Sequence, residues 1–403
     1  NTVETSLAGQ SLTACDWHKF RHDLLAAIKA PDDDFRSGRY RRTVAANALA
    51  CGLAGGLPKS AETPGHHSPS AASSLAPPLP GEIRLAREEQ QARWFIRPDL
   101  PPKVNGTFAY LTDHRAPDML VGRILRAGVP HASILAIDTR AAEALPGVVA
   151  VVTHRDVPGE NAFGIVVQDQ PAFCCDKVRY VGDAVAAVAA IDAATAERAL
   201  TLIKVDYEAL PVVTTPEQAL AADAPAIHET GNLQRILHFS RGDIEAGFTA
   251  AAHVVEDTYV TPRQMHGFME TEGGHARIEP DGSLAVFVGG QHGSRDRLQL
   301  SRVLAMPEDR IRVVTNPTGG AFGGKDELTV QPALALLAIK SGRPVRLQLS
   351  RAESVLAGTK RNPMTIRMRT ACDADGRLLA QEVDVLADAG AYASLGPGVL
   401  ETA

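Results

Sequence analysis

The sequence has 403 residues, of which 22% are charged and 45% hydrophobic, and 41 Lys and Arg against 47 Asp and Glu give a net charge of −6. At roughly 100 to 200 residues per domain, this length predicts several globular units, each with its own core. Because no general basic charge is available, neither nucleic acid nor an anionic membrane surface is expected as a partner. The sequence has no apolar run of the ~18 residues that a spanning helix needs.

The five cysteines form no C-x-x-C pair, and the adjacent Cys174 and Cys175 lack the spacing of a zinc or iron–sulfur site. We therefore expect no metal bound by side chains of this chain. An odd number of cysteines in a long chain fits a reducing compartment better than a disulfide framework. The sequence thus predicts a cytoplasmic protein.

The N-terminal part predicts two helices and a linker. Helical periodicity runs from about Trp17 to Lys29 and from about Tyr40 to Leu53, within a segment of residues 1–57 that is too short for a core of its own. Residues 58–94 open with a stretch rich in Pro, Ser and Ala that has no periodicity, which is typical of a linker. A domain boundary is expected there.

Residues 95–235 contain two segments with one common pattern, 133–153 and 184–207. Each passes from an apolar strand through Ala-Ile-Asp to an Ala-rich helix and then to a Val-rich strand. Asp138 and Asp192 stand where an N-cap accepts hydrogen bonds from free backbone amides. The pattern predicts an α/β domain built from two β-α-β units.

From residue 236 onward the pattern changes to β-hairpins with occasional helices. Asp281-Gly282 and Asp375-Gly376 each separate two alternating runs, as hairpin turns do. Residues 236–403 are therefore predicted to form a second, α+β domain that is cut short. The fold class is multidomain α+β and α/β.

A glycine-rich loop, Thr318–Glu327 with the sequence TGGAFGGKDE, precedes a predicted apolar helix. Glycines let a ligand approach the backbone closely, so the loop predicts an anionic ligand bound by amide groups. Gly319, Gly324 and Lys325 match the start of a nucleotide P-loop, but the Ser or Thr that should follow the lysine is Asp326. A tight turn without any ligand is the other alternative.

At this point the chain resembles the molybdopterin-binding subunit of the xanthine dehydrogenase and aldehyde oxidase family of molybdenum hydroxylases. The resemblance extends over about residues 95–403, which correspond to the N-terminal half of that subunit. Residues 1–57 are similar to the closing helices of the family's FAD-binding subunit. The matching segments are RYVGDAVAAVAA (179–190), LIKVDYEALPVV (202–213), RQMHGFMETEGG (263–274), GGQHGSRDRLQLSRVLAMPEDRIRV (289–313) and TGGAFGGKDELTVQ (318–331).

The resemblance implies which residues bind the cofactor. Gln291 matches the family glutamine whose amide donates to an oxygen ligand of molybdenum, and it is the catalytic candidate. The general base of the family has no counterpart in this sequence and lies outside it. The expected cofactor-binding residues form one stretch of the loop: Gly320, Ala321, Phe322, Gly323 and Gly324.

Two positions bear on the substrate. Asp326 follows Gly-Gly-Lys, where purine-oxidising members have a Glu that bonds the substrate ring. Thr402 follows Glu401, where those members have an Arg. A retained acid favours an aromatic N-heterocycle over a plain aldehyde, because a buried carboxylate facing an apolar substrate would lack a partner.

The resemblance implies a molybdenum hydroxylase that oxidises an aromatic N-heterocycle with water as the oxygen source. An aldehyde oxidoreductase of the same family and a non-catalytic assembly subunit are the alternatives. The expected cofactor is molybdenum-molybdopterin, for which the cytosine dinucleotide form is one alternative. FAD and 2Fe-2S clusters would lie in partner domains or chains, and the remaining half of the molybdenum domain in another chain.

Overall fold

The computed structural model describes residues 15–29, 38–53 and 99–402. The chain divides into two units, Asn1–Ile96 and Arg97–Ala403. The linker predicted at 58–94 lies outside the described residues.

In the first unit, two helices form as the periodicity predicts: α1 (Trp17–Ala27) and α2 (Gly38–Leu53). Asp16 caps α1, because its carboxylate accepts from the amides of His18 and Lys19 at 3.1 Å each. Four buried side chains join the two helices in a small apolar cluster: Phe20, Leu24, Ala46 and Ala50.

The second unit combines helices and strands, so the predicted mixed fold class is confirmed. Its helices are α3 (Leu100–Val104), α4 (Arg140–Glu143), α5 (Ala193–Leu202), α6 (Pro216–Ala219), α7 (Ile244–Thr249), α8 (Gly293–Val303), α9 (Gln331–Ser341), α10 (Arg351–Ala357) and α11 (Gly396–Thr402). Its strands are β1 (Leu120–Arg126), β2 (Ala132–Asp138), β3 (Val148–Thr153), β4 (Lys177–Val178), β5 (Ala184–Ala190), β6 (Lys204–Ala209), β7 (His253–Thr261), β8 (Gly273–Ile278), β9 (Leu284–Val288), β10 (Ile311–Thr315), β11 (Val345–Gln348), β12 (Met364–Cys372) and β13 (Leu378–Ala387).

A seven-stranded sheet in the order β10-β9-β8-β11-β1-β5-β3 organises this unit. Helix α9 packs on it and contributes eight buried residues of its eleven, which explains why its sequence is apolar all round. The helix ends at Gly342 in the left-handed conformation, φ 62°. The sheet takes strands from both predicted domains, since β1, β3 and β5 precede residue 235 and β8 to β11 follow it.

The two repeats have the predicted order of strand, helix and strand, but the strands of each repeat lie in different sheets. β3 and β5 pair antiparallel in the large sheet, whereas β2 and β6 pair antiparallel in a three-stranded sheet with β4. A helix of four residues such as α4 is too short for a parallel crossover within one sheet, which takes a dozen or more residues. Periodicity therefore predicted the strands and helices of the repeats, but it did not predict which strands pair with each other.

The predicted turns and one of the two predicted caps form. Both Asp-Gly pairs close antiparallel hairpins, with Gly282 at φ 80° and Gly376 at φ 82°. Asp192 caps α5 by accepting from the Thr195 amide at 2.7 Å. Asp138 instead ends β2, and its carboxylate accepts from the amide and guanidinium of Arg140.

No helix within residues 15–29, 38–53 and 99–402 is long and apolar enough to cross a membrane.

Candidate functional site

The site forms where two parallel strands end. β9 and β10 pair in parallel, with Val288 opposite Thr315, so their carboxyl ends lie at the same edge of the large sheet. Gln291 follows β9 by three residues, and the glycine-rich loop begins three residues after β10. Parallel pairing therefore brings the two sequence-predicted features together although about 30 residues separate them.

Two further segments meet at this edge, because β8 runs antiparallel to both β9 and β11. The chain enters β8 through His266 to Glu272 and leaves β11 toward Lys360. Arg351 joins the two segments by donating to the carbonyls of Phe268 and Met269 at 2.7 Å each. The segment that enters β8 and the segment that leaves β11 therefore lie next to the glycine-rich loop.

The loop needs its glycines for two reasons. The first is backbone conformation, since Gly320 and Gly323 have positive φ values of 97° and 88°, and Phe322 between them has a φ of 54°. Phe322 is an unusual occupant of this conformation, and such strained positions concentrate at functional sites. At Gly324 the reason is contact, since an added Cβ would lie 2.6 Å from Nδ1 of His266.

The tip of the loop presents three backbone amides without a partner. Among the described residues, no acceptor reaches the N–H groups of Gly320, Ala321 and Phe322. The amides on either side, those of Gly319 and Gly323, already donate to side-chain oxygens at 2.8 and 3.0 Å. Consecutive free amides of this kind bind oxygens of an anionic ligand.

Gln291 is fixed to the loop through its own oxygen. Oε1 accepts from the amides of Gly323 and Lys325 at 3.0 and 3.3 Å, and the Gln291 amide donates to the Lys325 carbonyl at 3.1 Å. These bonds assign the oxygen of the side-chain amide, so the Nε2 hydrogens are the ones that remain. Within the described part of the chain Nε2 has no acceptor, and it is available to a ligand beside the loop.

Lys325 turns inward instead of toward the loop surface. Its side chain is 3% exposed, and Nζ donates to the Glu270 carbonyl at 2.7 Å and lies 3.6 Å from that residue's carboxylate. Nζ also lies 4.7 Å from the centre of the Phe268 ring. Burial lowers the pKa of Lys325, and the nearby carboxylates of Glu270 and Glu272 oppose this shift. This orientation is unlike that of a P-loop lysine, whose charge reaches the phosphates.

The carboxylate of Asp326, near the end of the loop, already lies close to two other charged or polar side chains. Its Oδ1 is 2.8 Å from Nε2 of His292, and its Oδ2 is 3.6 Å from the guanidinium of Arg295. Its side chain keeps 18% exposure, so one side stays open to solvent. The predicted substrate contact would thus involve a group of three charged or polar side chains rather than one carboxylate.

Thr402 is not brought to the loop by any contact of its side chain. It ends α11, where its hydroxyl donates to the carbonyls of Gly398 and Val399 in its own helix. The segment before this helix does reach the site, since the Ser394 hydroxyl donates to Oε2 of Glu327 at 2.6 Å.

Two acids at the loop, Asp296 behind it and Glu327 at its end, are shifted toward their neutral forms. Burial and, to a smaller extent, the carboxylates of Asp326 and Glu327 raise the pKa of Asp296 to about 7, against the lowering effect of its hydrogen bond from Gln331. Burial likewise raises the pKa of Glu327. Asp296 accepts from Nε2 of Gln331 at 3.1 Å.

A cavity of about 480 Å³ shares only Glu270 with this site, its other walls including Arg123, Arg346 and Gln348. It contains none of the predicted site residues. Residues 15–29, 38–53 and 99–402 hold no cluster of three or more His, Cys, Asp or Glu side chains that could bind a metal ion.

Sequence reasoning missed the residues that support the site, namely His292, Arg295, Asp296, Lys325 as a buried brace, and Gln331. For three of them the sequence contained a signal, namely their closeness to Gln291 in the chain. His292, Arg295 and Asp296 lie one, four and five residues after Gln291, at the start of a helix, so they are expected near it. Nothing local indicated that Gln331 or Glu327 would face them.

Two family models match the chain. The molybdopterin cofactor-binding domain matches residues 227–403, and the a/b hammerhead domain of aldehyde oxidase and xanthine dehydrogenase matches residues 105–211. The second match ends before β7 begins, so the large sheet joins strands from both matched regions.

Curated relatives and solved structures agree with these matches. The chain is 54% identical over 306 residues to a probable xanthine dehydrogenase subunit of Bacillus subtilis, covering 76% of this chain and 41% of that protein. It is 41% identical over 308 residues to the nicotinate dehydrogenase large molybdopterin subunit of Eubacterium barkeri, covering 76% of this chain and 72% of that one. The aldehyde oxidoreductase of Desulfovibrio gigas superposes with a TM-score of 0.69 at 31% identity, covering 73% of this chain and 34% of that chain.

The chain therefore spans well under half the length of two of these three proteins and most of the length of the third. The fold, the glycine loop with its free amides and the similarity over most of residues 99–402 lead to one conclusion. The chain belongs to the molybdopterin-binding subunits of the aldehyde oxidase and xanthine dehydrogenase family.

Proposed function

We propose that this chain forms the cofactor-binding part of a molybdenum-dependent hydroxylase that oxidises an aromatic N-heterocycle. The observation that supports this most is the row of three free amides at Gly320, Ala321 and Phe322, together with the free Nε2 of Gln291. These are neutral donors on a loop whose flanking amides are hydrogen-bonded to Glu270 and Gln291. Such donors stabilise charge that develops on oxygen without competing as bases.

The residues present fit a molybdenum-molybdopterin cofactor. Gly320 is required by packing, since an added Cβ there would lie 3.0 Å from the Phe322 ring and 3.2 Å from Cβ of Phe268. The fit rests on the row of unpartnered loop amides, which suits oxygens of an anionic group. The amides of Gly320 to Phe322 would hold the cofactor, with Gly323 and Gly324 shaping the loop. When bound, the cofactor supplies two-electron oxidation of the substrate with oxygen from water.

The roles of this chain's own residues follow from its hydrogen bonds. Gln291 would donate from Nε2 to an oxygen of the bound cofactor, while its Oε1 keeps the loop closed over Gly323 and Lys325. Lys325 and Glu270 would keep the loop in register with the segment beneath it. None of these groups is a suitable general base, so we expect that residue to come from another part of the complex.

We further propose partners on the same basis. Residues 1–57 would belong to an FAD-binding domain joined by the linker 58–94 to the molybdenum part, whose two domains would span residues 95–235 and 236–403. Iron–sulfur and FAD subunits would accept the electrons, and a chain with the remainder of the molybdenum domain would complete the site. For the cofactor of this chain, the cytosine dinucleotide form of molybdopterin is one alternative.

The direct test is metal and pterin analysis of the native complex purified with this chain. We expect about one molybdenum per copy of the chain, bound through a pterin, because the described residues contain no cluster of metal-binding side chains. A complex that contains zinc or magnesium and no molybdenum would refute the proposal. It would also favour the alternative of an assembly subunit without cofactor.

Asp326 supports an N-heterocycle as substrate. Its carboxylate lies at one side of the loop, 2.8 Å from His292, and is partly exposed. The Asp326 carboxylate offers an acceptor and the half-exposed guanidinium of Arg295 beside it offers a donor, which suits a ring that carries N–H together with N or C=O groups. A purine-like ring would use both and a pyridine-type ring would use the donor; the relative from Eubacterium barkeri is described as a nicotinate dehydrogenase.

Replacing Asp326 by Ala is expected to lower kcat/KM for such a ring by on the order of tenfold to a hundredfold, the value of one charged hydrogen bond of ~1.5–3 kcal/mol. The measurement compares xanthine, hypoxanthine, nicotinate and benzaldehyde in the wild type and the variant. His292→Ala provides the matched comparison, because it removes the partner and keeps the acid. An enzyme that prefers benzaldehyde and is indifferent to Asp326→Ala would favour the aldehyde oxidoreductase alternative.

A further inference from the structure

Asp296 lies directly behind the turn that carries Gln291. It belongs to the first turn of α8, is 1% exposed, and its amide donates to the His292 carbonyl at 3.0 Å. Its Oδ2 would lie only 3.1 Å from a Cβ placed on Gly290. The carboxyl therefore packs against the backbone next to Gln291, and any displacement of it would press on that turn.

Gln331 connects this carboxyl to the other side of the site. It is 3% exposed at the start of α9, and its Nε2 donates to Asp296 Oδ2 at 3.1 Å. Its Oε1 accepts from the amide of Thr329 at 2.7 Å. Thr329 comes two residues after Glu327, where the glycine-rich loop ends, so one side-chain bridge links the start of α8 to the exit of the loop.

The charges that face this bridge are mostly negative. Asp326 and Glu327, from the loop, both act on Asp296. The nearby donors are already engaged, since His292 and Arg295 face Asp326 and the Ser394 hydroxyl donates to Glu327. Among the described residues Asp296 has no ion-pair partner, and burial is the largest cause that raises its pKa to about 7.

We propose that Asp296 is a positioning residue of the glycine-loop site, which in its neutral form, bonded to Gln331, holds the Gly290–Gln291 turn and the loop exit in fixed relation. It touches neither substrate nor cofactor, and the inference rests on the function proposed above. The hydrogen bond from Gln331 by itself favours the ionised form of Asp296, but burial and the carboxylates of Asp326 and Glu327 oppose it and together raise its pKa. An ionised Asp296 moves toward water, and this movement displaces the Gly290–Gln291 turn against which its carboxyl packs.

A pH dependence follows, and its sign is fixed by the raised pKa. A carboxyl whose pKa is raised in the folded state has its full stabilising effect below the pKa of the unfolded chain, about 4, and loses it as pH rises to the folded-state pKa, here about 7. The wild type should therefore lose thermal stability from about pH 4 to about pH 7, whereas kcat, which follows the neutral fraction of Asp296, should fall as pH rises through about 7. Asp296→Asn, which keeps the shape and the acceptor for Gln331 but cannot ionise, should remove that part of both profiles.

The experiment uses the molybdenum-loaded complex and three variants: Asp296→Asn, Asp296→Ala and, as the matched control, Asp309→Asn at an exposed position after α8. The readouts are Tm from pH 4 to 8.5, and bound molybdenum, kcat and KM from pH 5.5 to 8.5. Below pH 7 we expect Asp296→Ala to lower kcat on the order of tenfold with KM within about twofold, and Asp296→Asn to recover most of that loss. Above pH 7 the difference from the wild type should shrink, because the wild type itself loses the neutral bridge. The control should follow the wild type.

Two outcomes would overturn the inference. One is an Asp296→Asn profile of Tm and kcat against pH that coincides with the wild type, which would show that Asp296 does not ionise in this range. The other is an Asp296→Ala variant with wild-type kcat. A complex without molybdenum would instead contradict the proposed function, and the Tm profile would still decide whether Asp296 is a titrating brace.

Discussion

Replacing Gln291 by Glu is expected to lower kcat about 10²- to 10³-fold while the complex keeps its molybdenum. Glu retains an oxygen that accepts from the amides of Gly323 and Lys325, so the loop stays closed. It exchanges the free Nε2 donor for a second oxygen. Loss of one fixed donor to a developing charge has about this cost in enzymes. Single-turnover kinetics together with molybdenum analysis of the same sample would measure both quantities.

Gln291→Ala separates the two functions of the side chain. It removes donor and acceptor together, so we expect a loss of bound molybdenum in addition to the loss of kcat. Gln381 is an exposed glutamine on β13, which lies with β12 and β7 in a separate three-stranded sheet. Gln381→Glu is therefore the matched control and should leave both readouts near wild type. Equal kcat values for Gln291→Glu and the wild type would show that Nε2 does not contribute to the reaction.

Replacing Lys325 by Met is expected to destabilise the second unit by about 3–5 kcal/mol, the usual cost of leaving a buried charge without its partner. Met conserves the length of the side chain and removes the ammonium that Glu270 faces. The Glu270 carbonyl also loses its donor. Chemical denaturation of the purified complex, followed by near-UV circular dichroism, measures the change.

The double variant Lys325→Met/Glu270→Gln should recover part of this loss, because it also neutralises the carboxylate. Lys340→Met is the control, since Lys340 pairs with Asp156 at a site that is 42% exposed and should cost less than about 1 kcal/mol. If Lys325→Met unfolded no more readily than Lys340→Met, Lys325 would have to act elsewhere, as a P-loop lysine would.

Sequence patterns predicted the local elements of this protein well, because local elements depend on local residues. The hairpin turns at Gly282 and Gly376 need only a positive φ that Asp-Gly supplies. The apolar helix after the loop is read from its Pro332 and Gly342. The same applies to the glycine-rich loop, whose composition indicated close approach by a ligand before any contact was known.

Pairing and electrostatics were beyond the sequence, because both depend on residues far apart in the chain. β2 and β3 look alike in periodicity yet lie in different sheets. The sequence predicts Asp326 as a substrate ligand, but it does not show that His292 and Arg295 lie beside its carboxylate. No sequence pattern marks Asp296 as a special residue. Its unusual property, a buried carboxyl bonded to Gln331, is visible only in the structure.

The large sheet also sets the order in which this protein is able to fold during its synthesis. β1 lies between β5 and β11, and its parallel partner begins at Val345, roughly 220 residues after β1 ends at Arg126. At 5–20 residues per second the ribosome needs about 10 to 45 seconds to make that stretch, and apolar strand surface remains uncovered meanwhile. Such long-range pairing is slow and prone to aggregation, so high-level expression is expected to depend on chaperones that cover nascent strands.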